Sequence, residues 1–513
     1  MTRAIPEGQL SRLSAFIAVR MGLWFPKERR RDLERGINAA ARELGMPDGN
    51  SCIEWLLSSL PTRSQIEILA SHLTVGETYF FRDKRLFKTL EESILSDLIQ
   101  LRRNSGRYLR IWSAGCSSGE EPYSIAILLS KMIPDIGDWG ITILATDINM
   151  RFLQKAANGI YRPWSFRDIQ PGIKEGFFNQ KEDGRFEVLS RIRQMVTFSY
   201  LNLVEDAYPS LVNNTTALDI IFCRNVLMYF VPELAGKVAT NLHRSLVDGG
   251  FLIVSPTESS IPIFSQFTTV RTSGTILYKK EGQQGASDSS CRPFKEPKIS
   301  FKPAAGFVQN RGTAPMPNPL DAQISSRPQP PDAQLEMRIS RPGTQIRQDL
   351  QQEATALYEG GCYPEAVEKT EKLLSQNPSH SKGLALLARI YANWGKLDKA
   401  LEWCEKAITA EKLHAGYHYL MSNILQELGR TEDAVVSLNR TLYLDPKFIL
   451  AYVALGNISR KSGKLKESVK HFENALSLLN LKRPEDVLPE SEGINSQRLT
   501  EMIKTMQQAE IGR

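Results

Sequence analysis

A step of 34 residues recurs through the last third of the chain. Gly361, Gly395, Gly429 and Gly463 keep that spacing, as do Ala354, Ala388, Ser422 and Gly456, then Ala366, Ala400, Ala434 and Ser468. Leu374, Ile408, Leu442 and Leu476 follow the same period. Small residues at fixed positions let two helices cross closely, and the glycine turns the chain between them. Such units bury their apolar faces on one another and stack into a solenoid with a concave binding surface. Residues 346–482 therefore read as four repeats. Residues 483–513 read as a tail with a capping helix over about 496–508.

A second feature governs the first half. Tyr108 to Tyr123, YLRIWSAGCSSGEEPY, reads as a buried strand, a tight loop and a helix start. Leu109, Ile111 and Trp112 supply the apolar strand. Gly115 and Gly119 let backbone approach a ligand. Glu120, Glu121 and Pro122 suit a helix first turn. The loop lacks the Gly-Lys-Ser/Thr ending of a phosphate loop and the G-x-G-x-x-G spacing of a dinucleotide site. Carboxylates at its exit repel pyrophosphate and suit a ligand with hydroxyls or positive charge, such as S-adenosylmethionine (SAM). The loop alone is equally compatible with an ordinary α/β turn. Asp147, 28 residues beyond Gly119, ends a second strand at Ile141–Ala145, where an acid can accept ribose hydroxyls. Together they favour a nucleoside pocket.

Alternation of strands and helices continues to about residue 280. Residues 158–193 interrupt it. Phe186–Leu189 and Ile192–Phe198 read as a small antiparallel addition, and the main sheet is expected to resume at Tyr200–Leu203. Leu218–Cys223 is a buried strand ending in Arg224-Asn225, with Tyr229 one helical turn on. Phe251–Val254 follows Gly249-Gly250. A hairpin, Phe267–Arg271 with Thr275–Lys279 turning at Ser273-Gly274, ends the unit.

Residues 1–92 read as helical, with amphipathic stripes at Leu10, Leu13, Phe16, Ile17 and at Leu33, Ile37, Ala40, Leu44. Arg31, Arg35 and Arg42 share the face opposite Leu33 and Ile37. That strip reads either as a solvated face or as a docking strip for an acidic protein surface. No helix-turn-helix or aromatic-interleaved pattern points to nucleic acid. Residues 281–345 carry ten prolines and read as a flexible linker. No apolar run approaches the roughly 20 residues of a membrane span. The six cysteines are scattered without C-x-x-C, which suits reduced thiols in cytoplasm, and no metal site is expected.

The stretches GETYFFRD (76–83), WSAGCSSGEEPYS (112–124), TDI (146–148), GIYR (159–162), LNL (201–203) and IFCRNVLMYF (221–230) make residues 1–280 resemble the CheR-type chemoreceptor methyltransferases. The 34-residue units resemble tetratricopeptide (TPR) repeats, an extension found in Wsp-type chemosensory pathways. The resemblance implies an α/β fold. An N-terminal helical receptor-docking domain (1–92) precedes a Rossmann-like SAM methyltransferase domain (93–280) with a small antiparallel β-subdomain. The linker, the all-α TPR solenoid and the tail follow.

It further implies transfer of the SAM methyl to glutamate side chains of a chemoreceptor's cytoplasmic domain. Gly76, Thr78, Arg82, Glu121, Asp147, Asn202, Leu203, Arg224 and Asn225 would line the cofactor pocket. Arg82 and Tyr229 would lie nearest the methyl, and Arg31, Arg35 and Arg42 would dock the receptor. Many members carry asparagine where this chain has Gly76, so that contact is either lost or made by backbone. The stretch between Phe178 and Phe198 is shorter than in members that grip a receptor's C-terminal pentapeptide, so no such dependence is expected. Rival readings are a methyltransferase for another substrate and a TPR scaffold with a vestigial enzyme fold.

Overall fold

The structure is a computed structural model. It describes residues 5–281 and 342–511, apart from 60, 105, 205–207, 212, 260, 261, 273, 274 and 492. Nearly all of the proline-rich stretch and the Ser273-Gly274 turn lie outside the described residues. The chain forms two compact units: residues 1–286 with 374–513, and residues 287–373.

Four helices open the first unit: α1 (Glu7–Met21), α2 (Arg30–Glu43), α3 (Gly49–Ser58) and α4 (Arg63–Leu73). Their apolar stripes meet in one cluster that includes Leu13, Ile17, Leu33, Ile37, Ile53 and Leu69. Arg31, Arg35 and Arg42 are left exposed on α2, as the sequence periodicity requires. Short helices α5 (Lys84–Thr89) and α6 (Leu95–Arg103), joined by a π-turn, lead into the sheet.

The sheet and its helices run β1 (Tyr108–Ala114), α7 (Glu120–Met132), β2 (Gly140–Asp147), α8 (Met150–Asn158), β3 (Ile160–Tyr161), α9 (Ile173–Phe177), β4 (Phe178–Gln180), β5 (Phe186–Val188), α10 (Ser190–Arg193), β6 (Val196–Tyr200), β7 (Leu218–Phe222), α11 (Pro232–Ser245), β8 (Leu246–Ile253), β9 (Thr268–Thr272) and β10 (Thr275–Lys279). Seven strands form one sheet in the order β6-β2-β1-β7-β8-β10-β9. The five from β6 to β8 are parallel, and β10 and β9 close it as an antiparallel hairpin. Apolar clusters cover both faces, one around Ile111, Ile127 and Ile143, the other around Trp112, Ile221 and Leu242. The wide burial explains why these strands read as continuous hydrophobic runs.

The small antiparallel sheet is built from β3, β5 and β4. Residues 196–198 are not in it, contrary to the expectation from sequence: they belong to β6, paired in parallel with β2 from Ile143↔Val196 to Asp147↔Tyr200. Ile192 lies in α10. The alternating Val196-Thr197-Phe198 pattern fits an edge strand of either sheet, so periodicity could not assign it.

The repeats form helix pairs around left-handed glycines, with φ of +76° at Gly361, +78° at Gly395, +73° at Gly429 and +73° at Gly463. In the second unit these are α12 (Pro342–Glu359) and most of α13 (Tyr363–Gln376). In the first unit they are α14 (Ser381–Asn393) with α15 (Leu397–Ala410), α16 (Ala415–Glu427) with α17 (Thr431–Leu444), and α18 (Ile449–Lys461) with α19 (Leu465–Leu479). The expected terminal helix is α20 (Ser496–Ile511). Turn glycines abut the sheet domain: a Cβ on Gly395 would lie 2.8 Å from Val247 Cγ1. Cys52, Cys116, Cys223 and Cys404 are free and buried, as expected. Cys362 departs from that expectation, being disulfide-bonded. Among the described residues no helix is long and apolar enough to cross a membrane.

Candidate active site

Parallel strands place their carboxyl ends together, and the chain leaves each through a loop that cannot continue the ladder. An open cavity of about 750 Å³ lies there, lined by Gly115 and Ser117 after β1, Asp147 at the tip of β2, Asn202 and Leu203 after β6, and Asn225, Val226 and Tyr229 after β7.

The glycine loop is shaped by close approach. Gly115 (φ +79°) and Gly119 (φ +90°) are left-handed. A Cβ on Gly115 would fall 2.4 Å from Val226 Cγ2, and one on Gly119 would fall 2.7 Å from Ala156 Cβ. Any larger residue would push apart the loops that bound the cavity. Asp147 locks the turn. Its Oδ2 accepts the Ser117 N–H at 2.8 Å and its Oδ1 accepts the Asn149 N–H at 2.8 Å. Burial outweighs these bonds and pushes its carboxyl up to about 6.

The two acids at the start of α7 separate into different tasks. Glu120 is 1% exposed and accepts the hydroxyls of Ser118 and Ser165. Burial raises its carboxyl above the usual range. Glu121 accepts the Ser113 hydroxyl at 2.8 Å and the Arg224 guanidinium at 3.0 Å, and Arg224 also reaches Asp83 at 3.6 Å.

Of the residues anticipated from sequence, Asp147, Asn202, Leu203, Asn225 and Tyr229 meet on the cavity wall. Glu121 and Arg224 form an ion pair outside the lining set. Gly76, Thr78 and Arg82 lie in the segment between α4 and α5, also outside the lining set. Gly76 backs onto the cavity-lining Phe152, whose ring a Cβ would meet at 2.3 Å. Arg82 donates to the Glu77 carbonyl at 2.9 Å and stands 5.8 Å from the Tyr79 ring. The Asn202 amide donates to the Arg20 carbonyl at 2.8 Å, which ties the end of α1 to the cavity.

Two contributors escaped sequence reading. One wall comes from the end of α1 and the segment after it, with Met21, Leu23, Phe25 and Arg29 on the lining. Gly22 (φ +76°) turns the chain there, Trp24 donates its N–H to the Tyr229 carbonyl at 2.6 Å, and the Arg29 guanidinium stands 5.2 Å from the Tyr229 ring. The apolar run Leu23-Trp24-Phe25 beyond a helix-ending glycine was the available signal. The other is Glu258, wholly buried. It accepts backbone N–H groups of Asn225 (2.8 Å), Val226 (2.7 Å), Met228 (3.3 Å) and Ser255 (2.9 Å), and the Ser255 hydroxyl. This one carboxylate holds the loop that carries Asn225 (φ +58°) and Tyr229. Nothing in the local sequence ESS marks it.

The lining fits SAM. Asp147 can accept hydroxyls, Phe152, Leu203, Val226 and Phe230 give an apolar enclosure, and Arg29 is the single cation among the described lining residues, so little side-chain charge is offered to a phosphate. Fold and cavity together define a SAM-dependent methyltransferase of the Rossmann-like class.

The family of CheR methyltransferase SAM-binding domains matches residues 76–274. A tetratricopeptide-repeat family matches residues 449–478, and the family of anaphase-promoting complex (cyclosome) subunit 3 matches residues 360–441. Chemotaxis protein methyltransferase 2 of Vibrio cholerae is 36% identical over 224 residues, covering 44% of this chain and 76% of that protein. The chemotaxis protein methyltransferase of Borreliella burgdorferi is 31% identical, over 50% of this chain and 89% of its own length. Chemotaxis protein methyltransferase 1 of Pseudomonas aeruginosa is 35% identical, over 42% and 77%. The chain belongs to the chemotaxis protein methyltransferase family, carries a SAM-binding catalytic domain, and extends it with TPR repeats suited to protein interaction.

Proposed function

We propose that this enzyme methylates glutamate side chains on the helical cytoplasmic domain of a chemoreceptor, and therefore works in the cytoplasm. The observation that carries the reading is the family relationship together with a cavity at the strand ends that joins Asp147, Asn225 and Tyr229 on one wall. The exposed basic face of α2 supports it, because Arg31, Arg35 and Arg42 stand free of the apolar core and can meet an acidic helix.

When bound, SAM supplies an electrophilic methyl on a positively charged sulfur. An ionised glutamate is already a nucleophile, so the residues need not remove a proton from it. Their task is alignment, for which proximity contributes up to about 7–11 kcal/mol. The apolar wall of Phe152, Leu203, Val226 and Phe230 favours a step in which opposite charges cancel. Asp147, Asn202, Leu203 and Asn225 would hold the cofactor, with Glu121 and Arg224 ordering the loops behind them and the backbone near Gly76 and Thr78 closing one side. Tyr229, with its carbonyl anchored by Trp24, would donate its hydroxyl at the reacting centre, and Arg82 would orient the acceptor carboxylate. Tight ground-state binding by Arg82 alone would not accelerate the reaction.

The test is to incubate the full chain with methyl-labelled SAM and receptor cytoplasmic fragments. Base-labile, protein-bound label on glutamate is expected, with Arg82→Ala and Tyr229→Phe each lowering turnover by about 10²-fold or more while SAM still binds. Label found only on a small molecule or nucleic acid would refute the acceptor. Absence of SAM binding by calorimetry would refute the enzyme.

A further inference from the structure

Between β3 and α9 the chain makes a short 3₁₀ turn, Pro163–Phe166, and Arg167 follows it. We infer that Arg167 is a positioning residue for Arg82. It holds the segment that aims the Arg82 guanidinium at the acceptor carboxylate. The inference deepens the proposed role of Arg82 at the acceptor and rests on that role.

Glu77 and Tyr79 are each contacted by both arginines. Arg82 donates to the Glu77 carbonyl at 2.9 Å, and the Glu77 carboxylate lies 3.5 Å from the Arg167 guanidinium. The Tyr79 ring centroid lies 5.8 Å from the Arg82 guanidinium and 3.8 Å from that of Arg167. Trp164 supplies a second ring, 4.6 Å from Arg167, and its carbonyl accepts an Arg167 N–H at 3.0 Å. Trp164 is 70% exposed, so it serves this stack rather than the core. The carboxylate contact alone holds little, because the Glu77 side chain is 71% exposed and water screens it. The rings carry more. A guanidinium is planar and weakly hydrated, and it stacks on aromatic faces while its edge still donates hydrogen bonds.

The backbone between the two arginines is held tightly. Phe80 donates its N–H to the Ser165 carbonyl at 2.9 Å, and its ring stacks on Phe166 at 5.0 Å. Phe81 donates its N–H to the Ser124 hydroxyl of α7 at 2.9 Å. Phe81 (φ +55°) and Asp83 (φ +74°) are left-handed on either side of Arg82. Residues other than glycine keep that conformation where their surroundings enforce it. The course of the segment is thus fixed by the turn before Arg167 on one side and by α7 on the other. The direction of the Arg82 side chain is set by Glu77 and Tyr79, the two residues that Arg167 holds.

The test compares full-length Arg167→Met, Arg167→Lys, Arg82→Ala and the double variant Arg82→Ala with Arg167→Met in methylation of a receptor cytoplasmic fragment. Methionine keeps a stem over the Tyr79 ring and removes the charge, so the fold survives. Arg167→Met should lower kcat by at least about tenfold and up to about 10²-fold, the loss that a displacement of about 1 Å can cause. SAM affinity by calorimetry should stay unchanged, because Glu77, Tyr79, Arg82 and Arg167 are all outside the cavity lining. Arg167→Lys keeps a cation over the ring and should recover most of the rate. In the Arg82→Ala background Arg167→Met should cost nothing further, as two residues acting as a unit require. Losses that multiply overturn the inference, as does a normal kcat for Arg167→Met beside a crippled Arg82→Ala. Both outcomes leave the role of Arg82 standing. A normal kcat for Arg82→Ala refutes that role and the inference with it. A fall in SAM affinity parallel to kcat in Arg167→Met marks a general loss of structure and also overturns the inference. Hydrogen exchange over residues 76–83 gives a readout independent of the acceptor. It should quicken in Arg167→Met and not in Arg167→Lys, and an unchanged rate overturns the inference whichever protein is methylated.

Discussion

Arg110 on β1 donates to Glu427 at the end of α16 at 3.0 Å, and the two side chains are 4% and 2% exposed. The pair joins the repeats to the sheet domain at the end of β1 opposite its glycine loop. Arg110 Nη2 also donates to the Thr216 carbonyl at 3.1 Å, and its backbone N–H to Asp219 at 2.9 Å. Removing one member of a buried pair strands the other charge. Glu427→Ala is therefore expected to cost about 3–5 kcal/mol of stability by chemical denaturation. The apolar replacement of both residues, Arg110→Met with Glu427→Leu, should recover most of it. Equal losses in the single and double variants would show that the pair is not coupled.

Glu258 offers a second, different loss. Glu258→Ala leaves the N–H groups of Asn225, Val226, Met228 and Ser255 without their acceptor, at about 1–3 kcal/mol for each one that water cannot reach. The loop bearing Asn225 and Tyr229 should loosen, so SAM affinity by calorimetry should fall at least about tenfold, together with the thermal midpoint. A variant that unfolds earlier but binds SAM normally would confine Glu258 to stability.

Asp147 makes both stability and cofactor binding depend on pH. Its folded value, about 6, lies above the ordinary carboxylate range because burial dominates. The folded protein thus holds a proton that the unfolded chain has already released. The stabilising contribution is full below the unfolded value near 4 and is lost as pH rises through about 6. Ligand binding runs the other way, since the protonated acid has less to offer a hydroxyl donor. SAM affinity should weaken on going from pH 7.5 to pH 5, and Asp147→Asn should flatten that profile while losing one of the two N–H bonds that lock the turn.

The strip on α2 should act through charge alone. Arg31, Arg35 and Arg42 are exposed, and Arg35 already shares its guanidinium with Asp32 at 2.9 Å. Reversing all three to glutamate should lower receptor methylation steeply at low salt and far less at high salt, with SAM affinity unaltered. A salt-independent defect would place the damage in the fold.

Much of this molecule was legible in its sequence because the strongest signals are geometric. The 34-residue step put a turning glycine at positions 361, 395, 429 and 463, and the backbone is left-handed at all four. The loop from Gly115 to Gly119 and the acid at position 147 were readable because few residues tolerate that turn and that strand tip. Val196–Phe198 was misassigned because a five-residue strand carries too short a pattern to name its sheet. The Met21–Arg29 wall and Glu258 were invisible for another reason. Their roles depend on contacts roughly 30 to 200 residues away in the chain, and no local rule encodes such partners.

The cavity wall at Met21–Arg29 also changes what counts as the binding unit. The segment that matches the SAM-binding family begins at residue 76, yet the lining begins at Met21. A fragment trimmed to the matched span would lose one side of its own pocket. In the intact chain, occupancy of the pocket and closure of the first four helices are thermodynamically linked. Ligand at a hundred times its dissociation constant would add about 2.7 kcal/mol to the cost of peeling those helices away. Hydrogen exchange in α1 should therefore slow when SAM is added, making the N-terminal helices a reporter of the cofactor's presence.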